Sequence, residues 1–405
     1  MPSNEPSSPR RATVVGAGPG GSVAALLLAA AGWRVTLLER VAEPAAVGAG
    51  ILLQPNGLAV LYGLGLRDAI REQAHEIRGA AIRNQRDRVL LQTRVPDLGA
   101  GLDHLLALRR AHLATVLADA VAASSGIELH LGADVQAATR DGAVMYRTVD
   151  REETVESELV VAADGVHSRV RATADFAATT SDTSHTYLRA IVDHDDADDT
   201  TEQSETWTPL GLFGSSPLGD GTTYFFADAD APAVRRALDA RDVDALRAAW
   251  SGTFAAAAPF FARLTSTDDL LVNQVERVDA PSFRSGCVAL LGDAAHAMSP
   301  NLGQGANSAL VDAVALVEEL ASHPDIETAL DGYDARRRPA VRKVQRDAER
   351  LARAAGLRNG FARRLRDALV ARTPASATEK RFRAVQQEDP VALLHSVEGI
   401  VAGRG

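Results

Sequence analysis

Cysteine is almost absent from this 405-residue chain: Cys287 is the only one. One thiol can neither close an intrachain disulfide nor build a cysteine-rich zinc site, and such usage fits a reducing, cytoplasmic setting. Lysine is nearly missing too, with Lys343 and Lys380 alone. Neither follows a glycine-rich loop, which excludes a Walker-type phosphate cradle. A Schiff-base mechanism would have to use one of these two in the basic C-terminal quarter, which disfavours it. Positive charge is in deficit: 43 Lys and Arg face 53 Asp and Glu, a net charge of -10. That is the wrong sign for life on phosphate backbones, so no nucleic-acid partner is expected. Long apolar runs are lacking. Val23 to Ala31 falls short of the roughly 20 residues of a membrane span, so no membrane partner is expected. Met1 to Arg11 is rich in Ser, Pro and Asn without an apolar core, and reads as a short disordered tail rather than a targeting segment. No Cys/His cluster has ligand spacing, so no metal is expected. Aromatic residues make up only 4%. A pocket for a ring must then rely on aliphatic walls, helped by a few of Trp207, Phe213, Tyr224, Phe225 and Phe226.

What is present is an ordinary globular composition, 46% apolar with 32 Gly and 17 Pro, long enough for two or three domains. Ala12 to Val15 reads as a short strand, Gly16 to Gly21 as a glycine loop, Ser22 to Ala31 as a helix with Gly32 at its end, and Arg34 to Leu38 as a second buried strand. This is a βαβ unit around a parallel sheet. Further on, Arg110 to Ala123 reads as a helix and Ile127 to Leu131 as a strand, followed by strands near Ala143 to Thr148 and Leu159 to Ala163. Between about 176 and 278 the pattern becomes α+β. Strands are expected at Tyr187 to Val192, Thr206 to Phe213 and Thr222 to Ala227, with helical stretches within Ala231 to Trp250. Asp193 to Glu202 is a dense acidic run, read as a solvated loop. Val288 to Leu291 returns to a buried strand, then come helices at Gly305 to Leu320 and Asp334 to Ala355. The last carries an apolar stripe of Val341, Val344, Ala348, Leu351 and Ala355, with arginines on another face.

Three motifs carry chemistry. In Gly16-Ala17-Gly18-Pro19-Gly20-Gly21, Gly16 permits a tight turn, Gly18 lets backbone approach a pyrophosphate, and Gly21 lets helix and strand pack closely. The following helix aims its first amides at phosphates. Glu39, at the end of the second strand, is placed to accept hydrogen bonds from a ribose. This predicts a dinucleotide site without choosing between NAD and FAD. The second motif, Asp164 to Arg171, directly follows an apolar run; an Asp-Gly turn is its plain alternative reading. The third begins at Gly292-Asp293-Ala294-Ala295-His296 and continues through Pro300 to Gly303-Gln304-Gly305-Ala306-Asn307. A carboxylate at a strand tip can hold a cofactor hydroxyl. The turn at Gly303 opens a helix whose free amides form an electropositive spot, which suits a reduced flavin. His296 reads as structural.

In this order, and with Arg110-Ala111-His112-Leu113 between them, these segments resemble the class A FAD-dependent aromatic hydroxylases of the para-hydroxybenzoate, salicylate and 6-hydroxynicotinate hydroxylase type. Gly48-Ala49-Gly50-Ile51 followed by Pro55-Asn56 is similar to their short single-component members. The resemblance implies an α/β chain: a Rossmann-like FAD-binding fold over 12–175 and 279–332, an inserted α+β substrate domain over 176–278, and a helical C-terminal segment over 333–405. It implies that Gly16, Gly18, Pro19, Gly20 and Gly21 line the FAD pyrophosphate and that Glu39 and Arg40 stand by the ribose. Arg110 would contact FAD, Val135 would border the adenine through its backbone, and Asp164 would serve the phosphate-ribose region and the NAD(P)H path. Asp293 would hold the ribityl chain. Gly303, Gln304, Gly305, Ala306 and Asn307 would cradle the isoalloxazine, and Pro300 would lie beside the substrate. His112 departs from the Asp often found there. The implied chemistry belongs to the cofactor: NADPH or NADH reduces FAD, O2 yields a flavin C4a-hydroperoxide, and one oxygen passes to an electron-rich ring.

The middle module carries no matching motif, so the substrate stays open between a phenol, an N-heterocycle and a polyketide, with a slight tilt towards natural-product tailoring. Arg189, Trp207 and Tyr224, with His185, lie on the expected substrate-side strands, although packing explains each of them as well. No base for the substrate is named. Epoxidation or oxidative rearrangement is an alternative outcome, and a non-catalytic flavin-fold binding protein is another class. A nicotinamide dehydrogenase would leave the Gly292–Asn307 segment without purpose. A flavin halogenase needs a Trp-x-Trp-x-Ile-Pro segment that is missing. Gly-x-Ser-x-Gly and His-Glu-x-x-His are also missing. Monomer and homodimer are both compatible with the sequence.

Overall fold

The computed structural model describes residues 9–42, 49–193, 202–403. Residues 1–8 of the expected tail, Gly48, and residues 194–201 of the acidic run lie outside the described residues. Arg10 and Arg11 already belong to the fold. Arg11 opens the first strand, and the Arg10 guanidinium lies 4.3 Å from the centre of the Trp33 ring.

The β-branched and leucine-rich runs assemble a six-stranded sheet in the order Arg284–Ser285, Val288–Leu290, Leu159–Ala162, Arg11–Val15, Arg34–Glu39, Ile127–Leu131. Its four successive pairings from Val288–Leu290 to Ile127–Leu131 are parallel; Arg284–Ser285 runs antiparallel. Parallel strands are buried on both faces, which is why Val14, Leu37, Val160, Val161 and Ala289 read as continuous apolar runs. The helix Pro19–Ala30 starts with proline at its first turn, where a missing N–H costs nothing, and ends before Gly32 at φ +87. It is buried along almost its whole length and packs against Gly305–Ser322. That crossing is tight: a Cβ on Gly20 would sit 2.8 Å from the Ala309 Cβ.

A second, seven-stranded sheet runs Leu271–Asp279, Thr179–Asp193, Thr222–Asp228, Gly211–Pro217, Glu202–Thr208, Gly79–Asn84, Val89–Arg94. Two of its strands come from 79–94, far upstream of the expected insert. Gly79–Asn84 pairs in parallel with Glu202–Thr208, so long-range pairing draws it into the middle module. The stretch expected as one strand, Thr206 to Phe213, is instead a hairpin: Thr208 Oγ1 donates to the Gly211 carbonyl and accepts from Leu210 N. One face of this sheet meets helices Pro232–Asp239 and Val243–Thr253 in an aromatic core of Phe213, Phe225, Trp250 and Phe261. Trp250 and Phe261 stack there at 5.6 Å and 11°. Phe213 and Phe225 are therefore core residues, and not part of a pocket wall. Strand alternation sends Trp207, Tyr224 and Phe226 to the opposite face.

The long helix is Ile326–Ala355, 30 residues, starting eight positions before the sequence pattern suggests. Asp325 caps it, accepting from Thr328 N at 2.8 Å. Of its stripe, Val341, Val344, Ala348 and Ala355 are buried as expected. Helices Gly360–Val370, Ala375–Val385 and Pro390–Ala402 follow.

Candidate active site

The carboxyl ends of the parallel strands converge on one crevice, the usual place for ligands in such sheets. Gly16 has φ +96, and a Cβ there would lie 2.4 Å from the Ala163 carbonyl oxygen. The glycine turn thus lies directly against the end of Leu159–Ala162, where Asp164 follows. On the Cβ side of Gly18 there is open space. The Glu39 carboxylate is oriented by backbone: Ala17 N donates to it at 2.8 Å and Val41 N at 2.9 Å. Arg40, beside it, is exposed.

One Asp164 oxygen accepts from Arg169 N (2.8 Å) and Val170 N (3.2 Å); the other is buried with no partner. Burial raises the pKa of this carboxyl, against hydrogen bonds from Ser168 and the backbone that lower it. Asp293 opens the short helix Asp293–His296 and is exposed to the cavity, with no side-chain hydrogen bond among the described residues. It faces the start of Gly305–Ser322: a Cβ on Gly305 would lie 3.9 Å from its Oδ1. Gly303, left-handed at φ +62, turns the chain from Pro300–Leu302 into that helix. Pro300, Gly303, Gly305 and Ala306 line the cavity, and so does Arg110 at the start of Arg110–Ala122.

The neighbouring amide side chains are committed internally. Asn307 accepts from Gln54 N (2.9 Å) and donates to the Leu52 (3.0 Å) and Gly303 (2.7 Å) carbonyls. Gln304 donates to Gln54 (2.7 Å) and accepts from Asn56 (3.1 Å) and Gln387 (3.1 Å). What they can offer a cofactor is backbone. Val135 is buried, and its carbonyl accepts from Arg169 Nη1 at 3.2 Å. His112 donates from Nε2 to the Ala69 carbonyl oxygen at 2.9 Å.

Behind Asp293 lies a buried charge network. Asp312 accepts from His296 Nε2 (2.6 Å), Arg337 Nε (2.7 Å) and Gly292 N (3.1 Å), and His296 and Arg337 are as fully buried as Asp312. Desolvation works to raise the Asp312 pKa, but the charges and hydrogen bonds of His296 and Arg337 hold it down to about 2. The sequence carries no mark of this arrangement, since Asp312 and Arg337 sit inside helical patterns.

From the crevice a cavity of about 1180 Å³ extends between the seven-stranded sheet and the C-terminal helices. Arg189, Trp207 and Tyr224 all line it; His185 does not. Arg189 donates to Asn273 Oδ1 at 2.9 Å, and Trp207 Nε1 donates to Glu205 at 2.6 Å. Phe226, one of the aromatics expected at the pocket, also lines it; sequence reasoning missed Tyr187, Glu205 and Ser216, and the far wall supplied by Leu351, Val370, Phe382 and Val385. Burial raises the pKa of Tyr187, whose hydroxyl donates to Asn301 Oδ1 at 2.9 Å.

The chain matches the FAD binding domain family over residues 11–348. It belongs to the FAD-dependent monooxygenases of the aromatic-hydroxylase type. A probable 2-heptyl-3-hydroxy-4(1H)-quinolone synthase of Rhodococcus erythropolis is 32% identical over 343 residues, covering 83% of this chain and 86% of the relative. Aurachin C monooxygenase/isomerase of Stigmatella aurantiaca is 30% identical over 93% and 98%. Among solved structures, tetrameric 2-methyl-3-hydroxypyridine-5-carboxylic acid oxygenase superposes with TM-score 0.74 at 28% identity, over 90% of this chain and 96% of the other. This flavoprotein is therefore an enzyme, with FAD as cofactor and NAD(P)H and O2 as co-substrates of its class. No helix among its described residues is long and apolar enough to cross a membrane.

Proposed function

We propose that this monooxygenase hydroxylates a heteroaromatic lactam or phenol of quinolone size that carries an apolar substituent. The observation that carries the reading is the cavity. At about 1180 Å³ it exceeds the roughly 300–1,000 Å³ of a pocket for one small ligand, so it can take a flavin ring and a sizeable substrate together. Its outer part is walled by Leu91, Leu212, Leu351, Val370, Phe382 and Val385, which suit an alkyl or polycyclic extension. The quinolone synthase and aurachin relatives agree with this choice.

The residues present fit FAD. The open side of Gly18 leaves room for a pyrophosphate, and the Glu39 carboxylate is already held where ribose hydroxyls could donate to it. The unpartnered oxygen of Asp164 and the free carboxylate of Asp293 are acceptors waiting for hydroxyl donors. The amides of Gly305 and Ala306 at a helix start, behind the Gly303 turn, supply positive potential at the cavity wall. When bound, FAD supplies electron transfer from NAD(P)H and activation of O2. The protein orients the substrate against Tyr224 and Phe226 and keeps water away with its apolar walls. Arg40, Arg110 and Val135 flank the cofactor in this reading, the enzyme works in the cytoplasm, and its assembly is a monomer or homodimer.

The test is NADH or NADPH oxidation by the FAD-loaded protein with 2-alkyl-4(1H)-quinolones. Stimulated consumption and a product heavier by one oxygen atom are expected. Stimulation only by benzoates or simple phenols would overturn the substrate class. Product analysis by NMR separates hydroxylation from the rearrangement that the aurachin relative's name includes.

A further inference from the structure

The cavity face of the seven-stranded sheet carries one row of directly paired positions: Arg189, Phe226, Gly214, Glu205, Ile82 and Leu91. The Phe226 ring lies across Gly214, since a Cβ there would sit 2.3 Å from its Cζ. The ring thus points along the row towards Glu205. With Tyr224, at 5.6 Å and 33° to Phe226, it makes an aromatic floor. Glu205 borders one side of that floor. Ser216, paired with Tyr224, borders another, and its hydroxyl is buried without a partner.

Glu205 is unusual in its surroundings. It is half-buried on the sheet and lines the cavity. One oxygen accepts from Trp207 Nε1 at 2.6 Å, and no cation pairs with it among the described residues. Arg366 stands over Trp207, 4.7 Å from the ring centre, but pairs with Asp367. A charge on Glu205 raises the pKa of its neighbours Tyr187 and Asp228, besides the larger effect of their burial. Burial pushes Glu205 up to about 7, against the Trp207 bond that lowers it. Holding the indole does not require a carboxyl, because a glutamine oxygen would accept the same N–H without an uncompensated buried charge. The carboxyl therefore answers a different need.

We propose that Glu205 is a catalytic acid–base residue that accepts the ring N–H or O–H of the heteroaromatic substrate and takes its proton, with Ser216 donating to the substrate's carbonyl or phenolate oxygen. The inference rests on the substrate class proposed above. In the step, the N–H or O–H bond of the substrate breaks and an O–H bond forms on the Glu205 carboxylate. The electron pair stays on the ring and makes the carbon to be hydroxylated more electron-rich. The neutral carboxylic acid returns the proton to water as product leaves. A base poised near neutrality is well matched to this transfer.

The test compares binding of 4(1H)-quinolone and 1-methyl-4-quinolone to the FAD-loaded protein at pH 8, read from the flavin absorbance. Wild type is expected to prefer the N–H compound by about tenfold or more, the factor of one charge-assisted hydrogen bond. In E205Q that preference should largely vanish while FAD content is unchanged. Trp207→Phe, which removes the indole donor and leaves the carboxyl, should keep it. An E205Q protein with the wild-type preference, or a preference lost in W207F and kept in E205Q, overturns the assignment. If E205Q does not accumulate, E205D, which withdraws the carboxyl by one methylene, serves the same comparison. Wild type that binds neither probe refutes the substrate class itself and this proposal with it, whereas binding with an unmoved preference refutes Glu205 alone.

Discussion

Replacing Asp312 by Asn should destabilise the enzyme far more than a typical helical substitution. Asp312 has three donors and no contact with solvent. Asparagine fills the same space but removes the charge and turns an N–H₂ towards groups that are themselves donors. Arg337 keeps Gln387, at 2.7 Å, and a longer contact to Glu388, but loses the carboxylate beside its Nε. Breaking a buried pair from one side costs about 3–5 kcal/mol, because the remaining charge stays desolvated. At roughly 2.1 cal/mol/K per residue, unfolding 405 residues carries about 0.85 kcal/mol/K, so the expected fall in Tm is about 5 °C. The acid limb gives an independent check. The folded pKa of Asp312, about 2, lies below the ordinary 3.8 of an aspartate, so its stabilisation is present above about 4 and lost as pH falls towards 2. D312N should lack that part of the acid dependence. Melting followed by circular dichroism between pH 3 and pH 7 measures both effects. A D312N protein that melts with wild type at neutral pH and shows the same acid limb would refute the reasoning. Replacing both Asp312 and Arg337 by apolar residues should recover part of the loss.

Glu39→Ala should weaken FAD binding by about tenfold or more, since it removes charge-assisted hydrogen bonds of about 1.5–3 kcal/mol and frees the Ala17 and Val41 amides; FAD titration of the apoprotein measures it. Asp293→Ala should weaken FAD binding with the apoprotein melt unchanged, because the carboxylate makes no protein hydrogen bond among the described residues. A lower melt with unchanged FAD affinity would make Asp293 a cap. Glu205 and Asp228, both raised to about 7, hold protons in the folded state that the unfolded chain has already released. Stability should therefore fall as pH rises from about 4 to 7, and denaturant titrations should show a shallower fall for E205Q.

The cofactor half was legible because its logic is local. Gly16 to Glu39 is one contiguous βαβ unit, and Gly16, Gly20 and Gly21 have steric reasons, since a Cβ on each would meet neighbouring atoms closer than 3 Å. The middle module was not. Its sheet pairs Gly79–Asn84 with Glu202–Thr208, strands more than a hundred residues apart, and no periodicity announces a partner at that range. The Thr206 to Phe213 stretch looks like one strand because its apolar residues continue through the turn. Tyr224, Phe225 and Phe226 are three adjacent aromatics, and only the packing of Trp250 and Phe261 decides that the middle one is core and its neighbours face the cavity. Glu205 carries no sequence signal: a glutamate two residues before a tryptophan on a strand reads as a solvated edge until the C-terminal helices close over it.

The Ile326–Ala355 helix shows why the C-terminal segment is not an appendage. Thirty residues at 1.5 Å each make a rod of about 45 Å. Near its start, Tyr333 donates to the Leu290 carbonyl at 2.8 Å, and Arg337 holds Asp312, whose second oxygen accepts from Gly292 N just ahead of Asp293. Farther along, Gln345 donates to the carbonyls of Val278 (2.9 Å) and Ala297 (3.2 Å), tying the middle sheet to the turn after His296. Beyond that, Val344, Asp347 and Leu351 become cavity wall. One helix therefore touches the strand that leads to Asp293, the turn before Pro300 and the cavity. A packed helix does not stretch, so the spacing between Asp293 and the Leu351 side of the cavity follows the covalent geometry along its axis. The partner of Asp312 and the cavity wall at Leu351 are thus carried by one rigid element.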